Sequence, residues 1–338
     1  MIGYKEMAAK LKKNVICDFP DNYTIADELR YGLTEEEIRD GIKDFSALLS
    51  QLFDVLISIS IAAEDELKNP LALLYSIGLC GKFEDNNRLT INSNELKKAY
   101  KKTKGTKINE HLQLLQDSGL SFSADNLSKA AIIQIHCPDN SASLIGLKIM
   151  AEASARVNTA APYNRFIYIF ARCDYLALSL PKKYHFEIRD VTKFLTAECR
   201  DYFNGLHDYL IANKCKYESK ISETDYLFAY TSKIKKAKVF SIFISMDTCY
   251  VKLNSKLICQ QPNLLADAPA GIKNAVKNGQ VCAKKDDPNA CNPKCAGKSM
   301  KFTLDGDEYF LCWILNFILP VNDKSEREYV KQWLEKEL

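Results

Sequence analysis

The hydrophobic periodicity of this chain changes part-way along, and that change limits what it can fold into. Up to about residue 156 apolar residues recur three and four apart, as in Ile108, Leu112 and Leu115, the spacing of one helix face. Beyond residue 163 alternating runs appear: Phe240, Ile242, Ile244 and Met246 share one parity, with Ser241 and Ser245 on the other. That is the period of a strand. Two periods segregated along one chain predict an α+β architecture, a mostly helical part followed by an antiparallel sheet with flanking helices. The change falls at VNTAAPY (157–163), small and polar residues with a proline. The expected domains are therefore 1–158 and 163–338, a reasonable division of 338 residues.

In the first part, Thr34 with Glu37 three residues on forms a capping box. It opens a helix expected to reach about residue 63, with a break at Gly41. The apolar run 47–63 is 17 residues long and contains Ser50, Gln51, Asp54, Ser58 and Ser60. It is too short and too polar to span a membrane. Ser50, Asp54 and Ser58 make one polar stripe on an apolar helix, which suits a buried helix or one shared in a homodimer. A second helix is expected from Pro70 to Gly78. Then come a short strand at Leu89-Thr90-Ile91, a helix capped by Ser93, a turn, and a helix capped by Thr106 and stopped at Gly119. Leu120-Ser121-Phe122, an apolar strand at 130–136 and a helix at 141–156 follow.

Helix, strand, helix, turn, helix, strand, turn, strand is the order of a winged helix-turn-helix. Residues 70–137, with the phrase HLQLLQDSGLSFS, resemble that family. The resemblance implies that the second helix of the pair enters the major groove of duplex DNA, which would turn Asn109, Gln113 and Gln116 toward base edges. Lys97, Lys98, Lys101, Lys102, Lys104 and Lys107 cluster here, against Glu95 and Glu110, for a local charge of six minus two, or +4. At a helix end and turn of this fold such lysines meet phosphates. The plain alternative is a solvated helix terminus, where lysines favour the C-terminal dipole. Many winged folds meet protein instead of DNA.

The second part is expected to hold a long helix at 191–213, strands including 250–254, a helix at 269–277, and a hairpin turning at Asp305-Gly306 into 309–319. A last helix is capped at Ser325, with Val330, Trp333 and Leu334 on its apolar face. Residues 202–338 resemble the small frataxin-like or YjbR-like domains. That resemblance implies a fold and little about activity. His207, Tyr226, Tyr230 and Tyr250 could line a ligand cleft between helix and sheet. Cross-strand packing of the rings is the competing reading. The lysines Lys233, Lys235, Lys236 and Lys238 sit at a hairpin tip, where solvation suffices to explain them.

Four cysteines, Cys282, Cys291, Cys295 and Cys312, fall within 31 residues (282–312) and bracket a polar segment. Loops of that length are uncommon in compact domains unless functional or fastened, and four thiolates suit a structural zinc. The spacing of Cys291 and Cys295 is not the common knuckle, so disulfides or free thiols remain as alternatives. Gly297-Lys298-Ser299 mimics the end of a phosphate-binding loop but lacks the leading glycine, since Asn292 stands there.

No secretory leader is visible in MIGYKEMAAKLKKN, so the expectation is a cytoplasmic protein with mostly reduced cysteines. A net charge of +3 excludes a wholly basic surface, and any basic site must be local. No nucleophile elbow, paired-histidine metal motif or dinucleotide fingerprint is present, so the sequence makes no positive case for an enzyme. The expected function is a binding or regulatory protein, with a DNA-binding first domain and a sensing second domain. The rivals are a protein-interaction module and an enzyme with a composite cleft.

Overall fold

The computed structural model of the protein describes residues 4–16, 23–59, 68–85, 88–102, 107–124, 130–140, 142–156, 165–179, 186–193, 195–221, 225–245, 249–255, 257, 261–279, 299–312 and 316–338. The chain divides into two units, Met1–His185 and Phe186–Leu338. It is an α+β protein, as its two periodicities require.

Unit one holds α1 (Tyr4–Lys13), α2 (Glu35–Ser58), α3 (Lys68–Cys80), β1 (Lys82–Asp85), β2 (Arg88–Asn92), α4 (Ser93–Lys102), α5 (Ile108–Asp117), β3 (Ser121–Phe122), β4 (Ile132–His136), α6 (Ser143–Arg156), α7 (Arg165–Ala171) and α8 (Leu176–Ser179). Thr34 sets the start of α2. Its hydroxyl accepts from the Glu37 backbone N–H, and the Glu37 carboxylate accepts from the Thr34 N–H at 2.8 Å. The helix runs unbroken through Gly41 and stops at Ser58, short of the expected residue 63.

Gly41 is a contact rather than a hinge. It faces Gly146 of α6, where an added Cβ would lie 2.6 Å from the Gly41 carbonyl carbon and 2.6 Å from Phe45 Cβ. The two backbones meet at a distance that glycine alone permits. Around the crossing Ile38, Ile42, Phe45, Leu49, Leu52 and Phe53 are buried. The apolar face expected to serve a homodimer is thus consumed by α6 and α1 within the unit. Asp54, on the opposite stripe, is exposed and takes Lys12 at 2.5 Å.

The boundary expected at 157–163 lies outside the described residues. Past it, α7 and α8 pack on α6, and unit one continues to His185. A buried pair, Arg172 and Asp174 at 2.6 Å, fixes the corner between them. The small sheet has order β1-β2-β4-β3, with each neighbouring pair antiparallel. Leu89, Ile91, Ile133 and Ile135 form its buried side. β1 was not foreseen, because Lys82-Phe83-Glu84-Asp85 holds a single apolar residue and therefore no period.

Unit two holds α9 (Ile188–Thr192), α10 (Ala197–Ala212), β5 (Cys215–Ile221), β6 (Tyr226–Ser232), β7 (Ala237–Ile244), β8 (Cys249–Asn254), α11 (Ala270–Lys277), β9 (Ser299–Leu304), β10 (Asp307–Cys312), β11 (Asn316–Pro320) and α12 (Lys324–Glu337). The single helix expected over 191–213 is two. Thr196, in extended conformation, accepts from the Cys199 N–H at 3.4 Å and starts α10 afresh.

Five strands form an antiparallel sheet of order β11-β8-β7-β6-β5. α10 and α12 cover one face of it: His207 packs on Tyr217 and Tyr230, and Trp333 on Phe317. β9 and β10 form a separate hairpin, whose turn residues Asp305 and Gly306 have φ of 53° and 91°. Positive values at both positions are what the Asp-Gly turn predicted. Asp305 also takes Lys273 at 3.3 Å and Lys277 at 3.0 Å, which ties the hairpin to α11. α12 is capped by Asp323, not Ser325. The Asp323 carboxylate accepts from the Glu326 N–H, and the Ser325 hydroxyl donates to the same carboxylate at 2.7 Å.

Candidate nucleic-acid interface

Helix α4 carries the basic cluster, and local chemistry sets which way it faces. Asn92, the last residue of β2, caps it by accepting from the Asn94 and Glu95 N–H groups at 3.0 and 3.2 Å. Ser93, expected as the cap, lies inside the helix and is buried. Leu96 and Tyr100 are buried with it. The Tyr100 hydroxyl shares a hydrogen bond of 2.8 Å with Nδ1 of His111 on α5, and both side chains are buried. This polar link locks the roll of α4 and leaves the lysines on the far side. Lys98, Lys101 and Lys102 are exposed, and Lys97 is half-buried. No ion pair is recorded for these four among the described residues, so four lysines and Glu95 give the helix a charge of +3.

The other two lysines of the cluster differ. Lys104 lies outside the described residues, as does the expected cap Thr106. Lys107 adopts a left-handed conformation at the start of α5, without a side-chain cap, and its ammonium lies 3.5 Å from Glu110.

Helix α5 is a poor reader of bases. Its buried side holds His111, Leu112 and Leu115. Its exposed positions are Asn109, Glu110, Gln113 and Asp117. Gln113 donates to Asp117 at 2.9 Å, and Gln116 is half-buried. Two carboxylates on the exposed side oppose the approach of phosphates. Positive potential is carried by α4 instead.

In unit two His207, Tyr226, Tyr230 and Tyr250, expected to line one ligand cleft, are not brought together on one face of the sheet. Strand alternation puts Tyr226 and Tyr230 on the helix-covered face, where both are buried. Tyr250 lies on the opposite face, opposite Phe243 and stacked on it at 4.5 Å. His207 is half-buried, and its Nδ1 lies 2.9 Å from the Tyr230 hydroxyl. Burial holds its pKa below 6.5 and pushes the Tyr230 phenol far upward. Rings from α10, β5 and β6 pack on one another there, His207 on Tyr217 and Tyr230 and Tyr217 on Tyr230. The packing reading, not the cleft, describes these residues.

Of the cysteine set, Cys282, Cys291 and Cys295 lie outside the described residues. Cys312 is free and half-buried. It shares a strand face with Phe310, while Leu311, on the other face, is the buried residue. The core side of β10 is therefore the parity of Leu311, not that of Cys312. Among the described residues, no group of three or more His, Cys, Asp or Glu is placed to hold a metal ion, and no helix is long and apolar enough to cross a membrane.

Comparison of the chain with protein families, with curated proteins and with solved structures finds no match.

Proposed function

We propose that unit one is a winged-helix-type module that binds duplex DNA through its phosphates. The observation that carries this reading is the face of α4, with Lys97, Lys98, Lys101 and Lys102 outside any ion pair among the described residues. The element order α3-β2-α4-α5-β3-β4, with β2 and β3 both paired to β4, supports it. So does the placement of α4 directly beside the helix that the family would send to the groove. Because α5 exposes Glu110 and Asp117, the contact is backbone-directed, with little base discrimination. Unit two is then the regulatory or partner-binding half of the protein.

Anisotropy titration of labelled duplex DNA at low and physiological salt tests this. Binding at low salt, weakened at least about tenfold in a Lys98→Gln/Lys101→Gln/Lys102→Gln variant, is expected. The slope of log K against log salt should fall by about 3 with three phosphate contacts removed. No detectable binding at low salt sinks the proposal.

The acidic side of α5 favours one second reading, a protein-interaction module. In that case the same variant keeps its duplex affinity, and charge reversal at Glu110 and Asp117 abolishes a partner contact instead.

A further inference from the structure

Among the described residues, the face of the unit-two sheet opposite α10 and α12 carries more lysines than carboxylates. Its composition follows from the register. One cross-strand row runs Lys220, Leu227, Phe243, Tyr250 and Pro320. The next runs Glu218, Ala229, Ser241, Lys252 and Ile318. A third holds Lys216, Thr231 and Lys238.

The bulge between Tyr230 and Thr231 inserts one residue into β7 and turns Lys238 onto this face. Lys216, Thr231 and Lys238 are exposed, and Ile318 is 57% exposed. At the centre Ala229 and Ser241 are buried. These short side chains lie between Glu218 and Lys252 in their own row, with Thr231 and Lys238 on one side and Leu227 and Phe243 on the other.

Four lysines from three strands meet one acid among these strand positions, Glu218, which Lys220 takes at 2.9 Å. The remaining like charges crowd one another, and like-charged cross-strand neighbours destabilise a sheet. Lys238 feels this: burial lowers its pKa, and Lys220 and Lys252 lower it further. Beside the lysines lies flat apolar surface, the half-buried pair Phe243 and Tyr250, stacked within 10° of parallel. Tyr250 is steadied through its hydroxyl by Asp225 at 3.4 Å.

A partner that suits this face presents phosphates and open π-faces together. Duplex DNA hides its bases in the stack, and an acidic peptide has no bases to offer. Single-stranded nucleic acid has both.

We infer that the β5-β6-β7-β8 face of unit two binds single-stranded nucleic acid, with Lys220, Lys238 and Lys252 on phosphates and Phe243 and Tyr250 against bases. This is a site separate from α4 and does not depend on it.

The test uses the full chain and a fluorescein-labelled short oligouridylate. Binding is expected at low salt. A Lys220→Gln/Lys238→Gln/Lys252→Gln variant should lose at least about tenfold, with the salt slope reduced by about 2, since each single-strand phosphate contact contributes about 0.7. Tyr250→Leu should weaken oligouridylate but leave heparin, a polyanion without bases, unchanged. The α4 triple variant should bind oligouridylate as the parent does, so that failure of the duplex reading and failure of this one are distinguishable.

Three results overturn the inference. One is no oligouridylate binding at low salt. Another is binding unaffected by the sheet triple variant. The third is an equal loss of heparin and oligouridylate in Tyr250→Leu. Circular dichroism of each variant confirms that the sheet has folded. If the triple variant fails to fold, the single Lys252→Gln change decides, with an expected loss of about threefold and a slope reduced by about 0.7.

Discussion

The two units solve the same burial problem in opposite ways. Unit one encloses its core between helices that touch at their backbones, with Gly41 against Gly146. Unit two builds a sheet and covers one side of it, leaving the other to side chains such as Lys216 and Lys238. The difference decides where each can meet a partner. In unit one the apolar faces of α2 and α6 are spent on each other, and the proposed binding surface is the outer side of α4. In unit two the second sheet face takes its character from the residue types at alternate positions, with Lys216 and Lys238 exposed and Ala229 and Ser241 buried.

The most damaging way to separate the units is Gly146→Val. Overpacking costs about 1–3 kcal/mol where side chains can yield, but here the obstacle is the Gly41 backbone. Unit one is expected not to fold, with loss of helical circular dichroism. Both tryptophans of the chain, Trp313 and Trp333, fall in unit two, so their fluorescence transition should persist. Loss of that transition too would show that the units fold as one.

Trp333→Ala is the reciprocal test. The ring is buried against Phe317, and its Nε1 donates to Ser255 Oγ at 3.0 Å. Truncation should cost about 3–5 kcal/mol, read from the remaining Trp313 emission in a denaturant titration. Protection of unit-one amides from hydrogen exchange should be unchanged.

A smaller effect comes from Thr34→Ala, which removes one half of the capping box of α2. About 1 kcal/mol of unit-one stability should go. An unchanged midpoint would mean that the Gly41–Gly146 crossing alone positions the helix.

The smallest effect is pH-dependent and belongs to unit two. Burial holds the His207 pKa below its ordinary 6.5. The unfolded chain therefore takes up that proton first, and protonation favours unfolding. The stabilising contribution is complete above about pH 6.5 and fades as pH falls through the folded-state value. His207→Gln should flatten this part of the curve between about pH 7.5 and 5.5. An equally steep acid loss in the variant would assign it to other groups.

How much of this was legible in the sequence depended on whether the signal was local. The capping box at Thr34 and the Asp305-Gly306 turn were readable because each needs a few adjacent residues. The caps at Asn92 and Asp323 were misread by one or two positions, since Ser93 and Ser325 offer the same chemistry next door. The burial of Gly41 against Gly146 was not readable, because it joins residues more than a hundred positions apart. The four-residue cleft failed for a similar reason. Tyr226 and Tyr250 look alike in a list of aromatics, but strand parity puts them on opposite faces. The basic sheet face did have a local trace, the alternation of Lys216, Glu218 and Lys220 with Cys215, Tyr217 and Ser219. Its meaning required the pairing of β5 to β8, which no single strand declares.

The link from Asp305 to Lys273 and Lys277 bears on the cysteine-bearing segment in a way its own residues do not announce. Gly279, just past α11, abuts Leu311 of β10, and Leu311 pairs with Met300 of β9. The two flanks of residues 280–298 are thus held together by the rest of the unit. The closure entropy of that segment has already been met, and it grows only slowly with length, about 0.6 kcal/mol per doubling. The chain-closure part of unit-two stability should therefore change by only about 0.6 kcal/mol when the segment is doubled or halved in length.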